Sequence, residues 1–266
     1  MLFKYAIQTC DRFSNQGQKR YCGDNRLELC KKSITSILVS IEAASKQNLQ
    51  VKHRIRFFED RGSQDLKDYL QRIIKRFNKG NIIIDVVALN GEGVMASIGA
   101  CYDWLLDEKE GKADLIYQLQ DDYLFIESGI TEMIDMFFQL NKDVNTHAII
   151  SCYNDPWLWL TSYRYRPTPR VFMPGLKRYW IQYYDMSCSF MTTPDNIIKN
   201  KDLLDKFLSM SPNSGRLEAD SLNHLLTKRG ILGMIPVESV GLHVQSEYEK
   251  DPFIDWKAIW NSVEDI

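Results

Sequence analysis

Residues Leu115 to Phe125 read LIYQLQDDYLF. The apolar run has the length and content of a buried strand, and it ends in two adjacent carboxylates, Asp121 and Asp122. A sheet interior does not tolerate neighbouring anions. They are expected at the sheet's edge, binding something, commonly a divalent cation that carries phosphate oxygens. That single stretch points to a nucleotide-binding α/β enzyme.

Working outward, the first half of the chain alternates strand and helix periodicities, the pattern of β-α-β units around a mainly parallel sheet. A strand over Phe3–Thr9 precedes a polar loop and a helix over about Arg26–Lys46, in which Leu27, Cys30, Ile34, Ile37, Leu38 and Ile41 share a face. A second strand, His53–Phe58, runs into EDRGSQD, where Ser63 can cap the next helix. A third, Ile82–Leu89, ends at Asn90-Gly91-Glu92-Gly93, before a helix whose small residues Ala96, Ser97, Gly99 and Ala100 permit close backbone approach. A helix over Gly129–Leu140 and a strand over His147–Cys152 follow. Beyond them the spacing predicts strands at Arg170–Phe172 and Trp180–Thr192, helices at Asp195–Leu208 and Glu218–Arg229, and a strand at Leu232–Val237.

The chain has 266 residues, 44% hydrophobic and 26% charged, enough for one substantial domain with an elaborated C-terminal part. Net charge is −2, so no global basic field draws it to nucleic acid or anionic lipid. The start reads as a strand and not as a signal peptide, and no apolar run reaches the ~20 residues of a membrane span. Six scattered cysteines without a CxxC pair read as reduced thiols, which makes a cytoplasmic location the expectation.

Ligands bind at the carboxyl ends of strands in an open parallel sheet. Four such ends carry polar or glycine-rich signatures: Thr9-Cys10-Asp11-Arg12, Glu59-Asp60-Arg61-Gly62-Ser63, Asn90-Gly91-Glu92-Gly93 and Gln120-Asp121-Asp122. At these positions the chain resembles the inverting family 2 glycosyltransferases of GT-A fold. Phe57 to Asp65 is similar to the family's DDGSxD segment, with Glu59 in place of the first Asp and Arg61 inserted before Gly-Ser. Asn90-x-x-Gly93-x-x-x-Ser97 looks like its NxGxxxARN region without the Arg, and Gln120-Asp121-Asp122 like its DxD motif with Gln for the first acid.

The resemblance implies a GT-A (Rossmann-like) α/β/α sandwich with a mixed, mostly parallel central sheet. It implies a single domain over 1–266, with a nucleotide-sugar-binding half (1–152), an acceptor-binding and catalytic half (153–245) and a C-terminal tail or helix (246–266). It further implies a UDP- or GDP-sugar donor and Mn²⁺ or Mg²⁺, with Asp122 on the metal and Asp121 at the ribose or at metal-bound water. Asp60 would meet the base, while Thr9, Asp11, Arg12, Asn90 and Gly93 would line the nucleotide pocket. His243 occupies the place of a third metal ligand; His53, His147 and His224 have weaker cases, and for His53, before a strand, and His224, within a helix, structural readings suffice.

The family's ED motif supplies the base that deprotonates the acceptor. Gapless counting back from Gly230 puts Glu218 on its Glu and Ala219 on its catalytic Asp, which leaves Glu218 and Asp220 as alternative bases. From Tyr153 to Phe190 eleven aromatic residues are interleaved with five cations, a composition suited to sugar stacking. Trp157, Trp159, Tyr163 and Trp180 are the acceptor candidates, and core packing is the competing reading for each. The acceptor stays open among a glycan, a lipid-linked sugar, a protein or another hydroxyl. A sugar nucleotidyltransferase and a catalytically silent binder on the same fold are the alternatives.

Overall fold

The computed structural model describes residues 1–12, 22, 25–91, 93–144, 148–154, 170–184, 189–212, 217–218, 220–244, 251 and 253–266. Its first half follows the predicted alternation: β1 (Leu2–Thr9), α1 (Arg26–Gln47), β2 (Lys52–Asp60), α2 (Gln64–Phe77), β3 (Ile82–Leu89), α3 (Val94–Leu106) and β4 (Leu115–Gln120). Then come β5 (Tyr123–Phe125), α4 (Gly129–Val144), β6 (Ile149–Ile150), β7 (Phe172–Pro174), β8 (Tyr179–Tyr183) and β9 (Phe190–Thr192). The remainder is α5 (Pro194–Lys199), α6 (Lys201–Ser209), α7 (His224–Thr227), β10 (Gly233–Pro236), β11 (Gly241–His243) and α8 (Trp256–Ser262).

Among the described residues nine strands form one sheet in the order β3-β2-β1-β4-β9-β6-β10-β8-β7. The pairings set all but β8 and β9 in one direction. This is the mixed, mostly parallel sheet that the sequence predicted. Apolar faces of α1, α2 and α4 cover one side of it, and those of α3, α5, α6 and α7 the other. Helix α1 is capped by Asn25, whose Oδ1 accepts from the Leu27 and Glu28 amides. Two of its buried serines replace lost water for neighbouring backbone: Ser36 Oγ accepts from the Phe125 amide at 3.0 Å and Ser40 Oγ from the Ile130 amide at 2.8 Å.

Three expectations are corrected. The strand expected over Trp180–Thr192 is two elements: β8 pairs with β7 and β10, whereas β9 inserts antiparallel between β4 and β6. Both pieces are apolar, and sequence pattern does not say which neighbour each one meets. The helix expected over Asp195–Leu208 breaks at Asn200, which ends α5 and begins α6 with φ −120° and ψ 31°. Asparagine competes with helical hydrogen bonding by making local bonds of its own, here Nδ2 to the Asn196 carbonyl at 2.8 Å. The helix expected from Glu218 shrinks to α7, preceded by turns in which the Glu218 carbonyl accepts from Ser221 and Asn223. Residues 213–216 and Ala219 lie outside the described residues, as do His147 and the aromatic stretch 155–169. Among the described residues no helix is long and apolar enough to cross a membrane.

His53 on β2 is buried, with Nδ1 3.0 Å from the Tyr5 hydroxyl and the Phe3 ring edge-on at 5.6 Å. Burial pushes its pKa down to about 4. The unfolded chain, with an ordinary imidazole near 6.5, therefore binds more protons between those values. The neutral histidine's contribution is complete above pH ~6.5 and is lost as pH falls through 4, a loss of about 3 kcal/mol. Urea denaturation across this range is expected to show that slope, and His53→Gln to flatten it relative to wild type.

Candidate active site

The registers Thr9↔Glu59, Gln8↔Gln120 and Asp60↔Leu89 bring the carboxyl ends of β1, β2, β3 and β4 to one edge of the sheet. At that edge Asp121 is buried, 3% exposed. Its Oδ2 accepts from the Cys10 amide at 2.7 Å and from the Cys30 thiol at 3.1 Å, and its Oδ1 is ion-paired with Arg26. Arg26 Nε also donates to the Cys10 carbonyl at 3.1 Å. One carboxylate thus joins the end of β1, the turn after β4 and the start of α1. Burial raises the Asp121 pKa, opposed by the guanidinium charge. For Arg26 burial acts downward, yet the Asp121 charge overrides it and the net shift is up.

Asp122 faces differently. Its Oδ2 lies 3.5 Å from Nε2 of His243. Strand β11 pairs antiparallel with β5, His243 opposite Tyr123, and the Val244 amide donates to the Asp122 carbonyl at 2.8 Å. The His243 imidazole stacks on the Tyr123 ring at 4.8 Å. Backbone pairing and ring stacking hold the imidazole beside the carboxylate.

The donor set fits a divalent cation. One carboxylate oxygen and one imidazole nitrogen at this separation suit two ligands sharing an ion with bonds of about 2.1 Å. Among the described residues no group of three His, Cys, Asp or Glu side chains gathers around an ion. Were an ion held here, two protein ligands would leave its other positions to phosphate oxygens and water.

The other predicted residues occupy distinct places. Asp11 accepts from the Ser63 amide at 2.8 Å and from the Ser63 hydroxyl, so it ties β1 to the start of α2. Thr9 is buried, its hydroxyl donating to the Phe58 carbonyl at 3.4 Å. Asp60, the last residue of β2, is buried with its carboxylate 3.6 Å from Arg61 Nε. Asn90 and Arg12 are exposed, and Gly93 begins α3 at φ 96°, a left-handed value that glycine adopts without strain. Glu218 and Asp220 are half-buried in the turns before α7. Trp180 is 1% exposed within the core. Trp157, Trp159 and Tyr163 lie outside the described residues.

Sequence reading missed Arg26, Cys10, Cys30 and Glu59. Arg26 left one signal: a cation in the first turn of a helix opposes the helix dipole and needs a compensating anion. Glu59 accepts from the Gly62 amide and sits 3.7 Å from Lys67, so it shapes the turn after β2 and leaves Asp60 as the acid at its end.

No protein-family model matches this sequence, and no curated protein does. Among solved structures, GalNAc-T7 with UDP, GalNAc and Mn²⁺ superposes with TM-score 0.54 at 12% identity, covering 96% of this chain and 45% of that one. This chain therefore spans less than half of that protein. A UDP-glucose pyrophosphorylase with UDP-glucose gives TM-score 0.48 at 11% identity over 89% of this chain and 90% of that one. A mannosyltransferase from Pyrobaculum calidifontis with GDP-Man and Mn²⁺ gives 0.40 at 8% over 61% and 38%. The likeness is one of fold, and the chain has a GT-A-type architecture.

The Arg26–Asp121 tie sets an expectation for stability. Arg26→Gln, which leaves a buried carboxylate without its counter-charge, is expected to cost about 3 kcal/mol in chemical denaturation. The double variant with Asp121→Asn should regain much of that, giving a coupling of about 2 kcal/mol in the double-mutant cycle.

Proposed function

We propose that this protein is a metal-dependent glycosyltransferase that moves a sugar from a UDP- or GDP-sugar to an acceptor hydroxyl with inversion. The observation that carries the reading is the convergence of Asp122 and His243, from segments 121 residues apart, at the carboxyl edge of a GT-A-type sheet. Asp122 and His243 would hold Mn²⁺ or Mg²⁺, which supplies Lewis acidity to the departing diphosphate. The fit of this donor pair and the resemblance in motif order support the assignment. Inversion rests on that resemblance alone.

In this reading the chain's own groups divide the remaining work. Asp60 accepts from the base, and Arg12, Asn90 and Gly93 line the nucleotide pocket; Thr9, wholly buried, and Asp11, engaged by Ser63, brace the strand ends beneath it. Asp121 orders the strand ends from within, because both its oxygens already accept protein donors. Glu218 or Asp220 removes the proton from the acceptor hydroxyl as the hydroxyl oxygen attacks the anomeric carbon. Trp157, Trp159 and Tyr163 offer ring faces to an acceptor sugar.

Mn²⁺ titration in the presence of UDP or GDP, followed by electron paramagnetic resonance, tests the site directly. Asp122→Asn and His243→Ala should each weaken Mn²⁺ binding at least tenfold and lower nucleotide-sugar turnover at least 100-fold, with little change in thermal midpoint. Of Glu218→Gln and Asp220→Asn, the one that removes the base should lower turnover by about 10² to 10⁴ while sparing metal binding. Metal-dependent binding without turnover would identify a silent binder. Pyrophosphate release from a nucleoside triphosphate and a sugar 1-phosphate would identify a nucleotidyltransferase.

A further inference from the structure

The hairpin of β7 and β8, at the far end of the sheet, concentrates exposed apolar surface. Phe172, Leu176 and Tyr179 are 59%, 70% and 64% exposed, and Val171 is exposed beside them. Single exposed hydrophobic residues are ordinary, but four within nine residues form a patch. The register sets Phe172 opposite Ile181 and Pro174 opposite Tyr179, so Phe172 and Tyr179 stand diagonally on one face, while Leu176 lies in the turn at the tip. The pairings make β7 run in the same direction as β4. The tip therefore projects from the carboxyl edge of the sheet, the edge that carries Asp122.

Charge follows the same hairpin. From Arg170 to Tyr184 the sequence holds three cations and no acid, in a chain whose net charge is −2. Arg178 is engaged by its surroundings: Nε donates to the Glu132 carboxylate at 2.6 Å and one terminal nitrogen to the Glu238 carbonyl at 2.9 Å. This clamp orders the hairpin against α4 and the end of β10 before anything binds, which lowers the entropy cost of docking. Lys177 is exposed at the tip beside Leu176, and Arg170 is half-buried at the base. Glu238 is exposed alongside, and the balance of these groups stays positive.

The outer edge of β7 is poorly suited to a further strand. The Gly175 amide donates to the Arg178 carbonyl at 2.9 Å and the Gln182 amide to the Val171 carbonyl at 2.8 Å, so Phe172 and Pro174 turn their backbone groups away from β8. Pro174 has no N–H, and its carbonyl accepts from Gln139 Nε2 at 3.1 Å. Strand addition finds little to pair with there. What the hairpin offers is ring and aliphatic surface with a lysine at its tip, the composition that settles between lipid headgroups and acyl chains. We propose that the β7–β8 hairpin is a membrane-docking element that seats Phe172, Leu176 and Tyr179 in the interface of a bilayer containing anionic phospholipid, with Lys177 on the headgroups. Docked so, the carboxyl edge of the sheet is turned toward the bilayer. The inference stands apart from the glycosyltransferase reading, and joined to it favours an acceptor held at the membrane.

The test is flotation of the full chain, without metal or nucleotide, with vesicles of phosphatidylcholine alone and of phosphatidylcholine with one-third phosphatidylserine. Wild type is expected to float at least tenfold better with the anionic vesicles, and less as salt rises. Phe172→Ser combined with Leu176→Ser should lower flotation at least tenfold and Lys177→Glu several-fold, while Leu176→Trp should raise it. Thermal midpoints should hardly move, because these side chains are exposed. Leu49→Ser, exposed at the opposite edge of the sheet, should change nothing. Absence of flotation, equal flotation with both vesicles, or flotation that the hairpin variants leave intact would overturn the proposal. Self-association in sedimentation velocity that the double variant abolishes, with no flotation of wild type, would also overturn it, by making this face an interface between copies. Each of these outcomes leaves the glycosyltransferase reading standing, since Mn²⁺ and nucleotide binding are read separately.

Discussion

The buried ion pair between Arg26 and Asp121 is the tie on which the carboxyl edge of the sheet depends. It lets an anion lie at the end of a buried strand by giving it a guanidinium, a backbone amide and a thiol as donors. The same contacts fasten β1 and α1 to the turn after β4. With Asp121 engaged inward, the adjacent Asp122 can be presented beside His243. Two neighbouring acids are therefore held differently: one is enclosed by protein donors at the strand ends and the other lies beside an imidazole.

The second requirement is that a histidine far along the chain arrive at Asp122. The small β5–β11 sheet accomplishes this, and the segment before β11 is itself anchored. The Ser239 amide donates to Asp251, the Ser239 hydroxyl accepts from the Asn154 amide at 2.9 Å, and Arg178 bridges buried Glu132 to the Ser239 carbonyl. Trp256 and Trp260 of α8 pack with Leu124 and Leu242, so the end of the described chain closes over the same small sheet. These contacts limit how far the imidazole can drift from the carboxylate.

Much of this was legible beforehand. Periodicity placed β1 through β4 and the helices between them, because each is long and buries one consistent face or both. Ser63 caps α2 as its position implied, its hydroxyl accepting from the Leu66 amide at 3.2 Å, and the structure brings Asp122 and His243, each named through motif resemblance, to 3.5 Å of one another. What escaped was short or non-local. A three-residue strand such as β5 or β9 has too few positions for a period to show, and Asn200 divides a helix that hydrophobic spacing alone would continue. The function of Glu59 escaped as well, since a carboxylate folded back onto a turn amide looks, in sequence, like any strand-end acid.

The sequence by itself determined the alternating α/β architecture and the strand ends at which its polar residues collect, because these follow from local periodicity and residue type. Only the tertiary structure decided how the two aspartates divide their roles. That division depends on Arg26, Cys10 and Cys30 reaching Asp121 across the strand ends, and on β11 returning beside β5. Contacts between segments so far apart in the chain leave no periodic trace, and they exist only once the sheet has formed.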